Sequence, residues 1–203
     1  MIDRIFRLNH DCFRIESDVT LYTDPFHIPA GSPKADIVLI SHDHFDHCSP
    51  EDLERIAKPD TTYVAIAACK KQLEKLPGET MLVAPGDSIE VKGVPIEAVP
   101  AYNTNKDFHP KSAGHVGYIF TLGGKRIYFA GDTDRIPEMK GFQADIALLP
   151  VSGTYVMTAD EAVGAAADIG AEVCIPMHYG DIVGGQKDAE AFCKQHDGKA
   201  VIK

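Results

Sequence analysis

Short apolar runs alternate along this chain with polar stretches rich in Gly, Pro, Asn and Asp, and the apolar spacing switches between period two and helical period. Residues 4–8, 12–16 and 19–23 alternate as half-buried strands do, with a turn at Asn9-His10-Asp11. Asp24-Pro25 ends the third, because proline cannot donate to a ladder and restricts the residue before it. A polar loop, Gly31-Ser32-Pro33, leads to Ile37-Val38-Leu39-Ile40, a continuous apolar run of the buried-strand type. Ser49-Pro50-Glu51-Asp52 predicts a helix start: Ser49 as N-cap, Pro50 at the first helical position, and acids facing the positive end of the dipole. That helix runs to about Ala57.

The β-branched and aromatic run 61–66 predicts a strand, and 67–76 a helix stopped by Pro77-Gly78. Strands follow near 80–84, 88–92 and 94–99. Residues 100–114 have no clear period and form the longest irregular loop, a length uncommon unless functional or mobile. Runs 116–122 and 126–130 flank Gly123-Gly124, a hairpin signal. Another strand is expected at 144–149. Thr158-Ala159-Asp160-Glu161 is a capping box that opens a helix to about Ile169, with Gly170 as its stop. A strand at 172–176, a helix at 187–196 and a strand at 199–202 complete the chain. Strands dominate each half, and each half closes in strand–helix alternation. This suggests an α+β, four-layer αββα sandwich, two sheets face to face with helices outside, although pattern alone leaves other α/β layouts open. At 203 residues, one domain over 1–203 is the expectation.

Charge and composition narrow the partners. A formal charge of −10 leaves little of the basic surface that drives nucleic-acid binding, so no nucleic acid is expected. No window approaches the roughly 20 apolar residues of a membrane span. Met1-Ile2-Asp3-Arg4-Ile5 shows no signal-peptide pattern, and five scattered cysteines without a C-x-x-C read as reduced thiols. A cytoplasmic location follows as an expectation.

The chemistry begins where the run 37–40 breaks. Four metal-capable side chains, His42, His44, Asp46 and His47, fall within six residues. Imidazole and carboxylate are ligands of zinc and related divalent ions, and a rigid strand end gives them fixed geometry. Three other apolar runs end similarly: Leu21-Tyr22-Thr23 at Asp24, then Gly131-Asp132-Thr133-Asp134, then Pro176-Met177-His178. Strand ends can converge on one rim of a sheet protein.

His42-x-His44-x-Asp46-His47, Gly131-Asp132-Thr133 and His178 together resemble the metallo-β-lactamase-fold hydrolase superfamily, in order and spacing, from Asp24-Pro25 to His178. Tyr118, Gly131-Asp132-Thr133 and Pro176-Met177-His178 are further similar to the branch of L-ascorbate-6-phosphate lactonases and related metal-dependent hydrolases. The resemblance implies the αββα sandwich, with mixed sheets and a dinuclear metal centre on one edge. It implies that His42 and His44 bind one ion, that Asp46, His47 and His178 bind the other, and that Asp132 bridges both. Two zinc ions are expected, with manganese or iron as alternatives. The family has a third histidine for the first ion just after the strand at 94–99. Here that place reads Pro100-Ala101-Tyr102-Asn103. His109, His115 or no histidine remain as replacements; His109 is favoured because it sits mid-loop rather than against a strand start. Asp46 and His109 are the candidate catalytic residues.

Other residues carry weaker signals. Asp24 is either an orienting partner for a ligand histidine or a turn former before proline. Asp134 reads as a substrate-facing acid or a loop acid, with the loop acid favoured, and His10, His27 and His196 as surface residues. Cys48 reads as a small buried side chain at the helix entry. Lys106, Lys111 and Arg135 are candidates for binding an anionic substrate, with solvated surface charge as the default. Tyr102, Tyr155 and Tyr179 are candidates for a pocket wall or for packing. The expected function is a hydrolase using a metal-bound hydroxide on a small lactone, ester or phosphoester. Nucleic-acid processing on the same fold, iron-dependent redox or oxygen chemistry, and a non-catalytic structural metal site are the rivals. A homo-oligomer is compatible with the sequence.

Overall fold

The computed structural model describes residues 1–196 and 198–203. The first half forms a six-stranded sheet in sequence order: β1 (Ile5–Asn9), β2 (Cys12–Glu16), β3 (Thr20–Thr23), β4 (Ile37–Ile40), β5 (Thr62–Ala65) and β6 (Glu79–Leu82). β1 to β3 form an antiparallel meander, and β3 to β6 run parallel. The parallel steps need crossovers: a loop over 24–36 joins β3 to β4, α1 (Pro50–Ile56) joins β4 to β5, and α2 (Lys70–Leu73) lies between β5 and β6. The second half forms a seven-stranded sheet from β7 (Ser88–Val91), β8 (Val94–Pro100), β9 (Val116–Leu122), β10 (Lys125–Phe129), β11 (Ile146–Pro150), β12 (Val173–Met177) and β13 (Lys199–Ala200). It is antiparallel from β7 to β10 and parallel from β10 to β13, with α3 (Ala159–Ile169) and α4 (Gln186–Gln195) as crossovers. Two mixed sheets with flanking helices make the α+β sandwich that the pattern suggests.

The elements follow from their residues. β4 reads Ile-Val-Leu-Ile, is buried at every position and lies between two parallel neighbours, as a strand covered on both faces should. Ser49 caps α1 by accepting from the Asp52 amide, and the Thr158–Glu161 capping box opens α3. The Asp52 carboxylate also accepts from the amides of His27 and Ile28, at 3.0 and 2.8 Å, tying the loop before β4 to α1.

Two expectations shift, and one element was not expected. The helix expected over 67–76 is a 3-10 turn at Ala67–Cys69 followed by the four residues of α2, because the chain must turn at Pro77-Gly78 to enter β6. The last strand shrinks to Lys199–Ala200. Pro137–Gly141 forms a 3-10 turn with no periodic signal in the sequence.

The two sheets are joined directly behind the end of β4. Tyr118 on β9 is fully buried, and its hydroxyl donates to the Ile40 carbonyl at 2.7 Å, with the Val64 carbonyl 3.1 Å away. One phenol of the second sheet thereby reaches the backbone of two strands of the first. The five cysteines are all free thiols, and Cys48 is buried as expected. No helix among the described residues is long and apolar enough to cross a membrane.

Candidate metal centre

The ends of β4 and β10 meet at one edge of the sandwich. The Val116 amide donates to the Ser41 carbonyl at 3.2 Å, and Gly131 passes directly over Ser41. A Cβ at Gly131 would lie 2.8 Å from the Ser41 Cβ and 3.0 Å from the Val116 carbonyl oxygen, and its φ is +60°. Glycine alone fits there, and the next residue, Asp132, is thereby delivered to the rim. Backbone strain gathers at the same place. Among the described residues, four of the seven non-glycine residues with positive φ, His10, Asp24, Tyr155 and His178, line this edge.

Asp132 is the hub. Its Oδ1 lies 3.5 Å from His47 Nε2, and its Oδ2 lies 3.3 Å from both His109 Nε2 and His178 Nε2. Asp46 Oδ2 stands 3.6 Å from His47 Nε2 and from His10 Nε2. On the other side, His42 Nε2 and His44 Nδ1 converge to 2.9 Å, and both rings lie 5.2 Å from the His109 ring, centroid to centroid.

The fold fixes which nitrogen each ring offers. Ser41 Oγ donates to Asp24 Oδ2 at 2.5 Å, so it accepts from His42 Nδ1 at 2.9 Å and leaves Nε2 with the lone pair. His47 Nδ1 donates to Asp24 Oδ2 at 2.6 Å. Ser152 Oγ donates to the Thr154 carbonyl and accepts from His178 Nδ1 at 2.9 Å. Asn103 donates its amide to the Tyr155 carbonyl, which turns Oδ1 to accept from His109 Nδ1 at 3.1 Å. Four imidazoles thus have one nitrogen held by the protein and the other turned toward the centre, the arrangement that orients metal-ligating histidines.

Buried atoms without partners show what the centre lacks. They include His47 Nε2, His109 Nε2 and Asp132 Oδ1. Unpaired buried polar atoms are costly, and a cation among these lone pairs would satisfy them. The electrostatics agree. Burial alone raises the Asp132 carboxyl, but His178, His47 and His42 outweigh it and hold it well below the carboxylate range. Burial pushes the Asp11 carboxyl up to about 8, the mark of an acid with too little positive charge nearby. The donor set therefore fits a divalent ion, and more than one group of ligand atoms lies within reach of a single ion.

The structure brings His42, His44, Asp46, His47, Asp132 and His178 together, as expected. His109 and His115 both join them from the loop between β8 and β9. His109 reaches Asp132, whereas His115 stacks on the His42 ring at 4.7 Å with Nδ1 unpartnered. Asp24 is the orienting partner of His47, not a mere turn former. Asp134 proves to be a buried clamp: it accepts from the Thr104 and Asn105 amides and pairs with Lys106 at 2.5 Å. Lys111 pairs with Glu138, and Arg135 with Asp168.

The reading of His10 as a surface residue is wrong. It is 0% exposed, its ring sits 4.1 Å from that of His178, and its carbonyl accepts from the His178 amide. The turn that carries it docks onto the end of β12, more than 160 residues away in sequence, so local pattern gives no hint of it. Asp11, buried beside it, was missed for the same reason. His27 is exposed and His196 half-buried. Ser41, Asn103 and Ser152 were missed too, although Ser41 directly precedes the histidine cluster.

A cavity of about 340 Å³ opens over the centre. Its floor is His44, Asp46, His109, Asp132 and His178; its walls are Phe45, Phe108, Tyr155 and Ile182. Tyr102 and Tyr179 are not among its lining: Tyr102 bonds Glu138, and Tyr179 packs under Arg7. A larger hollow of about 620 Å³ between the edge strands β6 and β7 contains no convergent ligand group among the described residues.

Comparisons with known proteins point the same way. The β-lactamase superfamily domain family matches residues 4–178. A UPF0173 metal-dependent hydrolase of Methanoregula boonei is 34% identical over 196 residues, covering 91% of this chain and 86% of its own. A crystal structure from Parabacteroides distasonis, described as a candidate metal-dependent hydrolase, superposes with a TM-score of 0.86 at 35% identity, covering 98% of this chain and 91% of that one. Igni18, a metallo hydrolase of Ignicoccus hospitalis, gives a TM-score of 0.79 at 24% identity, covering 98% and 94%, a likeness of fold. None of these three names specifies a substrate, so the lactonase-like branch is not confirmed by them.

Proposed function

We propose that this chain, which belongs to the β-lactamase superfamily and to its UPF0173 metal-dependent hydrolases, cleaves a small lactone, ester or phosphoester with two divalent ions held around Asp132. The observation that carries this reading is the set of four imidazoles, each with one nitrogen held by the fold and the other aimed at the centre. His42 Nε2, His44 Nδ1 and His109 Nε2 would hold one ion. Asp46, His47 Nε2 and His178 Nε2 would hold the other, with Asp132 between them. Zinc is the first expectation, and the same donors accept manganese or iron. When bound, such ions supply Lewis acidity and a nucleophile at neutral pH.

The chain's own residues do the rest. Asp24, Ser41, Asn103 and Ser152 fix the ring tautomers, so the ligand lone pairs are in place before substrate arrives. Asp46, which lines the cavity, would take up a proton of the attacking water. Water adds its oxygen to the carbonyl carbon or phosphorus, the bond to the leaving oxygen breaks, and the proton passes to that oxygen. Phe45, Phe108 and Ile182 restrict bulk water at the mouth.

The nuclease alternative gains nothing from Lys106, Lys111 and Arg135, each of which is already paired with an acid. Iron-dependent oxygen chemistry shares the donor set and is separated by assay. Chelator-stripped protein should regain ester or phosphoester hydrolysis on adding Zn²⁺ or Mn²⁺, and His178→Ala should lose metal and activity together. A metal-free preparation with full activity contradicts the reading, as does oxygen consumption without hydrolysis in the iron-loaded protein.

A further inference from the structure

The walls of the cavity differ in kind from its floor. Phe45 is 68% exposed, Phe108 58% and Ile182 39%, large apolar side chains left facing water around the mouth of the centre. Each comes from a different loop: Phe45 between β4 and α1, Phe108 between β8 and β9, Ile182 between β12 and α4. Tyr155, between β11 and α3, braces Phe108 edge-on at 4.4 Å. Four separate segments therefore contribute one apolar wall residue each to the same 340 Å³ cavity. Isolated exposed apolar residues are ordinary, but a rim of them over buried polar chemistry marks a binding groove.

The cavity is equally defined by what does not line it. Its carboxylates and imidazoles are the floor residues of the centre. Lys106, on the same loop as Phe108, is turned to Asp134 and Asn105. Lys111 is turned to Glu138 and Tyr102, and Arg135 to Asp168. Away from the ions, recognition of a phosphate or carboxylate group uses Arg or Lys forks and point charges. Among the described residues, no lysine or arginine lines the cavity.

Resting on the hydrolase reading above, we infer that the substrate is an uncharged carboxylic ester or lactone whose apolar group seats between Phe45, Phe108 and Ile182, and not a phosphoester. The apolar group is the acyl chain of the scissile ester. Its acyl carbon receives the water oxygen, the acyl C–O bond breaks, and the proton passes to the released alkoxide. Each methylene buried against the walls should improve kcat/KM about fourfold until the cup is full.

The test uses the full chain loaded with Zn²⁺ or Mn²⁺ and p-nitrophenyl acetate, butyrate and hexanoate beside p-nitrophenyl phosphate. The expected result is kcat/KM rising about fourfold per methylene, with the phosphate slower than the hexanoate. Phe108→Ala should flatten that rise while metal content stays the same, and Phe108→Leu should restore most of it. A flat chain-length series, or a preference for the phosphate, overturns this inference and leaves the hydrolase reading standing. Failure to hydrolyse any ester or phosphate overturns the hydrolase reading itself. A dimer in sedimentation that dissociates when Phe45 and Phe108 are both changed to Ser assigns the cup to a second copy and also overturns the inference.

Discussion

The two halves of the centre are built differently. The half around His47 and His178 grows from strand ends. His178 follows β12 directly, Asp132 is the third residue past β10, and His47 hangs from Asp24 at the end of β3. The half around His109 depends on the irregular segment between β8 and β9. That segment is nevertheless tied down at every turn. The Tyr102 amide donates to Thr133 Oγ1, the Asp134 amide to the Tyr102 carbonyl, and the Asn103 amide to the His109 carbonyl at 2.7 Å. The loop is clamped to the very segment that carries Asp132. A loop can thus deliver a ligand as a strand end does, provided its backbone polar groups are spent on the segment that bears the hub. The sheet-built half should hold its ion more tightly, because its positioning groups belong to the core.

The largest effect should come from the residue both halves share. Asp132→Ala is expected to release both ions and to lower hydrolysis by more than about 100-fold, beyond the range that outer-shell partners command. Elemental analysis and rate together check this; an Asp132→Ala protein that keeps an ion at one half would make the halves independent. Next, His109→Ala should lose one ion and keep the other, while His115→Ala keeps both. The opposite pattern would transfer the loop-borne ligand to His115.

Smaller effects should separate the halves by their supports. Ser152→Ala frees the Nδ1 side of His178, and Asn103→Ala frees that of His109. Each should weaken one ion about 10–100-fold in chelator competition. Equal loss of both ions in either variant would erase the distinction. The smallest effect lies in the frame. Burial raises the Asp36 carboxyl, but the Lys58 ammonium and the Thr20 amide outweigh it and hold it below its ordinary 3.8. A depressed folded value stabilises the fold above the unfolded value and loses that contribution as pH falls through the folded one. Asp36→Asn should therefore melt lower than the parent at pH 7, and the gap should close below about pH 4. A gap that stays constant into acid would remove Asp36 from the account.

How much could be read in advance follows the same division. His42, His44, Asp46 and His47 stand together in sequence, and Asp132 and His178 each end an apolar run, so spacing and strand ends reveal them. The strands themselves were legible because both sheets are built from compact apolar runs with clear turn residues between them. His10 and Asp11 were not, because their burial depends on a turn meeting a strand from the far end of the chain. Asn103 and Ser152 act only through rings that distant segments place beside them. The apolar rim was hidden for a related reason: Phe45, Phe108 and Ile182 are isolated apolar residues in polar loops, and only the fold makes them neighbours.

The most direct test of the account is the metal content of the protein as purified, measured per chain by elemental analysis together with that of His109→Ala. Two divalent ions are expected in the parent and one in the variant. One ion in both proteins would contradict this, since His109 would then support no second site.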